Sequence, residues 1–178
     1  MTDTTTAPTA ARTRDPLLDR VAIDALRAEF TDAVMVHDFD RLTSLFTVDG
    51  AVRMPDVPAE AEGRSAVRAA VERMQGLWEF FVQVATPGAV VPDPDDPDAA
   101  SGRTFLEELG RLRDGTSHRN HGVYHDRYRR TEDGWRFAER VYELRYVDET
   151  PLPGTPGAPP TARPLADAGQ RPLTDAGQ

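Results

Sequence analysis

Apolar residues recur at helical spacing through the first part of the chain and alternate with polar ones through the later part, so the pattern predicts helices followed by strands. Leu18, Val21, Leu26, Phe30, Ala33 and Val34 lie close to helical spacing and predict a long first helix ending near Val36. Asp15 followed by Pro16 supplies its N-cap and first turn. In "HDFDRLTSLF", Asp38 is a second cap, and Phe39, Leu42, Leu45 and Phe46 form one apolar side of a short helix. "DGAVRM" reads as a turn entering a strand that Pro55 and Pro58 interrupt. Ser65 reads as the cap of a third helix from Ala66 to about Gln75, with Val67, Ala70, Val71 and Met74 inward. "FFVQVA", "GRTFLEELGRL", "HGVYHDRYRR" and "WRFAERVYELRYV" then read as strands, separated by "PDPDDPDAASG", "RDGTS" and "TEDG". Three helices followed by a run of antiparallel strands is an α+β arrangement.

The two ends carry no such pattern. Residues 1 to 14 are mostly Thr, Ala and Arg, and from Pro151 the chain is dense in Pro, Gly and Ala, so both ends are expected to be disordered around a domain of residues 15–148. The last sixteen residues are a near-duplicate, RPLADAGQ then RPLTDAGQ, too short for a solenoid unit and read as slippage in a tolerant tail. At 178 residues and 39% apolar, one core is the expectation.

Charge and residue usage remove several chemistries. A net charge of −9 disfavours binding to nucleic acid, which needs clustered cations. There is no cysteine, and all 21 basic residues are arginine, which excludes thiolate nucleophiles, Cys-based metal sites and Schiff-base lysines. His, Asp, Glu and Tyr remain as acid–base groups. No run approaches the ~18 apolar residues of a membrane span, so a soluble cytoplasmic protein is expected.

"HRNHGVYHDRYRR" concentrates three of the four histidines. In a strand, His118 and His125 lie roughly 23 Å apart and His121 and His125 roughly 13 Å apart, too far to share one ion, so no metal is expected. Alternation puts Arg119, His121, Val123, His125 and Arg127 on an outer face. Asn120, Gly122, Tyr124, Asp126 and Tyr128 then face the helices. A carboxylate on that aromatic face is either a base with its pKa raised by desolvation or the structural partner of Arg140 or of a tyrosine hydroxyl. Either Glu107 or Glu108 must also face inward, and Trp78, Phe80, Phe81 and Trp135 read as pocket walls or core.

"AVMVHDFDRLTSLF", Asp49-Gly50, Gly63 and "GVYHDRYRRTEDGWRFAER", with Arg140 five residues after the Trp135 of an Asp-Gly-Trp turn, resemble the SnoaL-like group of the nuclear transport factor 2-like superfamily. The resemblance covers roughly residues 15 to 148. It implies a cone of curved antiparallel sheet wrapped around three N-terminal helices, with a pocket inside, and a homodimer through the outer sheet face. The superfamily includes polyketide cyclases, dehydratases, ketosteroid isomerases, epoxide hydrolases and non-enzymatic members, so the resemblance speaks to fold more than to reaction. Two familiar carboxylates are replaced. Met35 stands where scytalone-dehydratase-like members carry an Asp, and "FFVQVA" where they carry a pocket histidine. Met54, before Pro55, stands where ketosteroid isomerases carry their base.

The function expected is cofactor-free cyclisation, dehydration or isomerisation of a small apolar polyketide- or terpenoid-like molecule. Asp126 is the expected base, Tyr124 and Asn120 orient the substrate or stabilise an enolate, and His37 near the cone mouth is a further acid–base candidate. Tyr128, Met35, Met54, Trp78, Phe81, Glu107 and Arg140 complete the expected substrate pocket. The alternatives are a non-catalytic binding or assembly module and an epoxide hydrolase using Arg140, Asp126 and Glu107.

Overall fold

The computed structural model describes residues 15–57 and 59–157; the expectations for residues 1 to 14 and for the duplicated octapeptide lie outside them. The elements are α1 (Pro16–Met35), α2 (Phe39–Ser44), β1 (Phe46–Met54), β2 (Ala59–Glu62), α3 (Arg64–Leu77), β3 (Trp78–Pro92), β4 (Ala99–Leu112), β5 (Ser117–Thr131) and β6 (Gly134–Asp148). The strands form one curved, unclosed sheet in the order β2-β1-β6-β5-β4-β3. It is antiparallel except where β1 runs parallel to β6, a pairing that alternation alone does not reveal.

The caps of α1 and α2 are those the sequence predicts: Asp15 accepts from the Leu17 N–H at 2.9 Å and Asp38 from the Arg41 N–H at 3.1 Å. The buried face of α1 is Ile23, Leu26, Arg27, Phe30, Ala33 and Val34. Leu18 and Val21 are exposed, because one turn before Ile23 the inward phase falls on Asp19 and Arg20. α3 begins two residues earlier than expected. Its cap is Gly63 rather than Ser65, and Gly63 adopts φ +82°, which a residue with a side chain rarely takes. The Asp49-Gly50 pair is an irregularity inside β1 rather than a turn before it.

On the concave face Phe30 of α1 packs edge-on against Tyr124 and Phe137, with ring centroids 5.9 and 5.7 Å away. α3 lays Val67, Ala70 and Val71 against the same core. After β6 the chain turns back over the β4–β5 hairpin. Leu152 donates its N–H to the Ser117 hydroxyl at 3.1 Å, and Arg111 donates to the Leu152 carbonyl at 2.7 Å. Among the described residues, no helix is long and apolar enough to cross a membrane.

Candidate functional site

Between the helices and the concave sheet face lies a cavity of about 230 Å³. α1 contributes Phe30 and Val34, β1 contributes Val52 and Met54, and α3 contributes Val71, Met74, Gln75 and Leu77. β3 adds Trp78, Phe81 and Gln83, β4 adds Glu108 and Leu112, β5 adds Asn120 and Tyr124, and β6 adds Arg140 and Tyr142. Its polar centre follows from strand register. Gln83 pairs with Glu108 and Glu108 with Asn120, so three polar side chains stand side by side across three strands.

Among the described residues, Glu108 is the sole carboxylate on the cavity wall. One of its oxygens accepts from the Gln83 side-chain amide at 2.8 Å and the other from the Tyr142 hydroxyl at 2.7 Å. Each oxygen keeps a lone pair for a ligand. Burial pushes the Tyr142 phenol well above its ordinary pKa and the Glu108 charge pushes it further, so Tyr142 stays a neutral donor. Tyr124 is raised in the same way, by burial first and then by Glu108. Its hydroxyl accepts a long 3.5 Å contact from Gln83, which leaves its own proton to donate.

Gly122 makes room for this arrangement. A Cβ there would lie 2.6 Å from the Tyr142 ring and 2.9 Å from its hydroxyl. Gly122→Ala is therefore expected to displace Tyr142 from Glu108 at a cost of about 1–3 kcal/mol, read from the denaturant midpoint. Unchanged stability would show that the ring has room to move.

Asp126 sits elsewhere. It does not line the cavity, and Arg140 donates to both of its oxygens, at 2.7 and 2.9 Å. Tyr128 donates to it as well, at 2.7 Å. Asp126 is 2% and Arg140 1% exposed. Burial opposes the charge on Arg140, the Asp126 carboxylate more than offsets that, and the guanidinium is held above its ordinary pKa. The Arg140 guanidinium lies 4.0–4.2 Å from the centroids of the Phe30, Tyr124 and Phe137 rings. Arg27, itself 1% exposed, donates to the Tyr128 hydroxyl at 2.7 Å and extends the network into α1.

The pattern that defines the SnoaL-like domain matches residues 15–141. The chain belongs to the SnoaL-like domain family. Solved structures share the fold of this SnoaL-like domain. A protein proposed to be an aromatic ring hydroxylase, from Novosphingobium aromaticivorans, is 25% identical with TM-score 0.69, covering 77% of this chain and 96% of its own. The hexachlorocyclohexane dehydrochlorinase LinA-type3 of Novosphingobium barchaimii LL02 is 24% identical with TM-score 0.69, covering 81% and 97%. A protein proposed to be a scytalone dehydratase, from Novosphingobium aromaticivorans, is 18% identical with TM-score 0.66, covering 83% and 96%. No curated protein matches the chain.

Within this SnoaL-like domain, Asn120, Tyr124, Met54, Trp78, Phe81 and Arg140 line the cavity as the sequence predicts. Glu107 does not. β4 alternation with Leu106 and Gly110 inward puts Glu107 on the exposed outer face and Glu108 inside. His37 is exposed at the end of α1, with φ +57° and its ring stacked on Phe39, and it does not reach the cavity. Tyr128 is buried beside Asp126 rather than on the wall. Met35 does not line the cavity, and its sulfur accepts from the Gln83 backbone N–H at 3.2 Å. His118 packs edge-on to Trp78, His121 lies near Tyr146, and His125 is 2.7 Å from Glu143. Among the described residues, no group of three or more His, Cys, Asp or Glu is placed to hold a metal ion. Sequence reasoning missed Gln83, Gln75 and Tyr142 as wall residues.

Proposed function

We propose that the cavity catalyses cofactor-free proton abstraction from a small neutral molecule, with Glu108 as the base. The observation that carries this reading is a lone cavity carboxylate, held by Gln83 and Tyr142 among apolar walls. Glu108 takes a proton from carbon. The electron pair left behind either expels a leaving group as a double bond forms or moves onto a carbonyl oxygen, where the free Tyr124 O–H donates to the developing charge. Asp126 serves as the anchor that holds Arg140 in the wall. The aromatic and methionine walls suit a polyketide- or terpenoid-like skeleton. Neighbours of this fold named for eliminations, the dehydrochlorinase and the proposed dehydratase, support a lyase reading by fold-level analogy.

Met35 and Met54, at positions where relatives of the fold carry carboxylates, favour a second reading as a non-catalytic binding module. Epoxide hydrolysis loses support, since Glu107 points away from Arg140 and Asp126. Nitrobenzisoxazole separates the first two readings: a base that removes its ring C–H proton drives N–O cleavage and releases a coloured cyanophenolate. Elimination by the protein that disappears in Glu108→Gln supports the base; no acceleration by the intact protein supports the binding module.

The reading includes a homodimer through the outer sheet face, where Val82, Val84, Phe105 and Leu109 are exposed on the adjacent strands β3 and β4. Val84→Glu is expected to weaken self-association at least tenfold in sedimentation. An unmodified chain that stays at monomer mass would contradict it.

A further inference from the structure

We propose that the cavity selects neutral ligands bearing two or more O–H or N–H donors, read by the side-chain oxygens of Gln83, Asn120 and Gln75. This rests on the reading of the same cavity as the reaction site and adds the chemical class of its occupant. The Gln83 oxygen, the Asn120 oxygen and the Gln75 oxygen are all buried without a hydrogen-bond partner, and all three residues line this one cavity. Buried acceptors are nearly always satisfied in folded proteins, so three orphans around one space point to donors supplied from within it.

The orientation of Gln83 is fixed by chemistry. An ionised carboxylate only accepts, so the amide group facing Glu108 at 2.8 Å must be the NH₂, and the oxygen is left over. Gln83 is 6% exposed, so bulk water does not serve that oxygen. The charge balance sets the second criterion. Arg140, the cation of the wall, is neutralised by Asp126, while the groups that hydrogen-bond Glu108 are the neutral donors Gln83 and Tyr142. An anionic ligand would meet that negative charge in a desolvated space. The remaining walls, Phe30, Trp78, Phe81 and Tyr124 among them, favour a ring.

Binding to the full chain tests this without any need for turnover. Catechol, resorcinol and hydroquinone are titrated by calorimetry beside their dimethyl ethers, which keep the ring and lose the donors, and beside hydroxybenzoates, which keep a donor and add a negative charge. At least one diol is expected to bind ten- to a hundredfold more tightly than its ether and at least tenfold more tightly than the hydroxybenzoates. Gln75→Leu, whose side chain makes no hydrogen bond that the fold depends on, should narrow the diol-to-ether gap several-fold. Equal binding of diol and ether would overturn the inference, since retained water would then be serving the acceptors. Failure of every diol to bind would overturn it too. Elimination of nitrobenzisoxazole with no diol preference removes the donor criterion alone; diol preference without elimination removes the base and leaves the donor criterion standing.

Discussion

Asp126→Asn is expected to destabilise the domain by about 3–5 kcal/mol, because it leaves the Arg140 guanidinium buried without a counter-charge. Arg140 is 1% exposed and wrapped by three aromatic rings, so water cannot replace the lost carboxylate. An asparagine can accept through one atom only, and its NH₂ would face a guanidinium nitrogen in either orientation, and in one of them the Tyr128 hydroxyl as well. The cost belongs to the orphaned charge rather than to the pair. The double change Asp126→Leu with Arg140→Met is therefore expected to recover much of the loss, as apolar replacements of buried pairs often do. Denaturant midpoints at constant slope measure both. A loss below about 1 kcal/mol in the single variant would show that Arg140 has another partner or access to water.

The sequence carried the caps of α1 and α2, the alternation of β5 and the α+β order, because each depends on local chemistry at fixed spacing. Asp38 caps α2 three residues before the N–H it binds, and Tyr124, Asp126 and Tyr128 share a face at period two. The polar centre of the cavity was less legible. Glu107 and Glu108 were equivalent until the register of β4 fixed which one faces in. Tyr142 was hidden by a slip in β6: Trp135 and Phe137 face inward, but one extra residue near Ala138 shifts the inward set to Arg140 and Tyr142. Strict alternation from Trp135 would have pointed Glu139 and Val141 into the core. Gln83 gave no signal of its own, since its role comes from its neighbours on other strands.

Glu108→Gln is expected to lower turnover by about a hundredfold to ten-thousandfold while leaving stability within about 1 kcal/mol. Glutamine keeps the length and one acceptor of the carboxylate, and its NH₂ can donate to the Tyr142 oxygen once that hydroxyl reorients or to the orphaned Gln83 oxygen. Shape and hydrogen bonding survive, and basicity does not. This profile is the reverse of the one expected for Asp126→Asn, where the fold suffers through Arg140. The contrast assigns the two carboxylates different roles, one holding the wall and one facing the ligand.

The most direct test is the elimination rate of nitrobenzisoxazole, expressed as kcat/KM, for the unmodified chain and Glu108→Gln at a temperature where both are folded. The account predicts saturable elimination by the unmodified chain and a loss of at least a hundredfold in the variant. A folded Glu108→Gln protein that eliminates the probe as fast as the unmodified chain would contradict it.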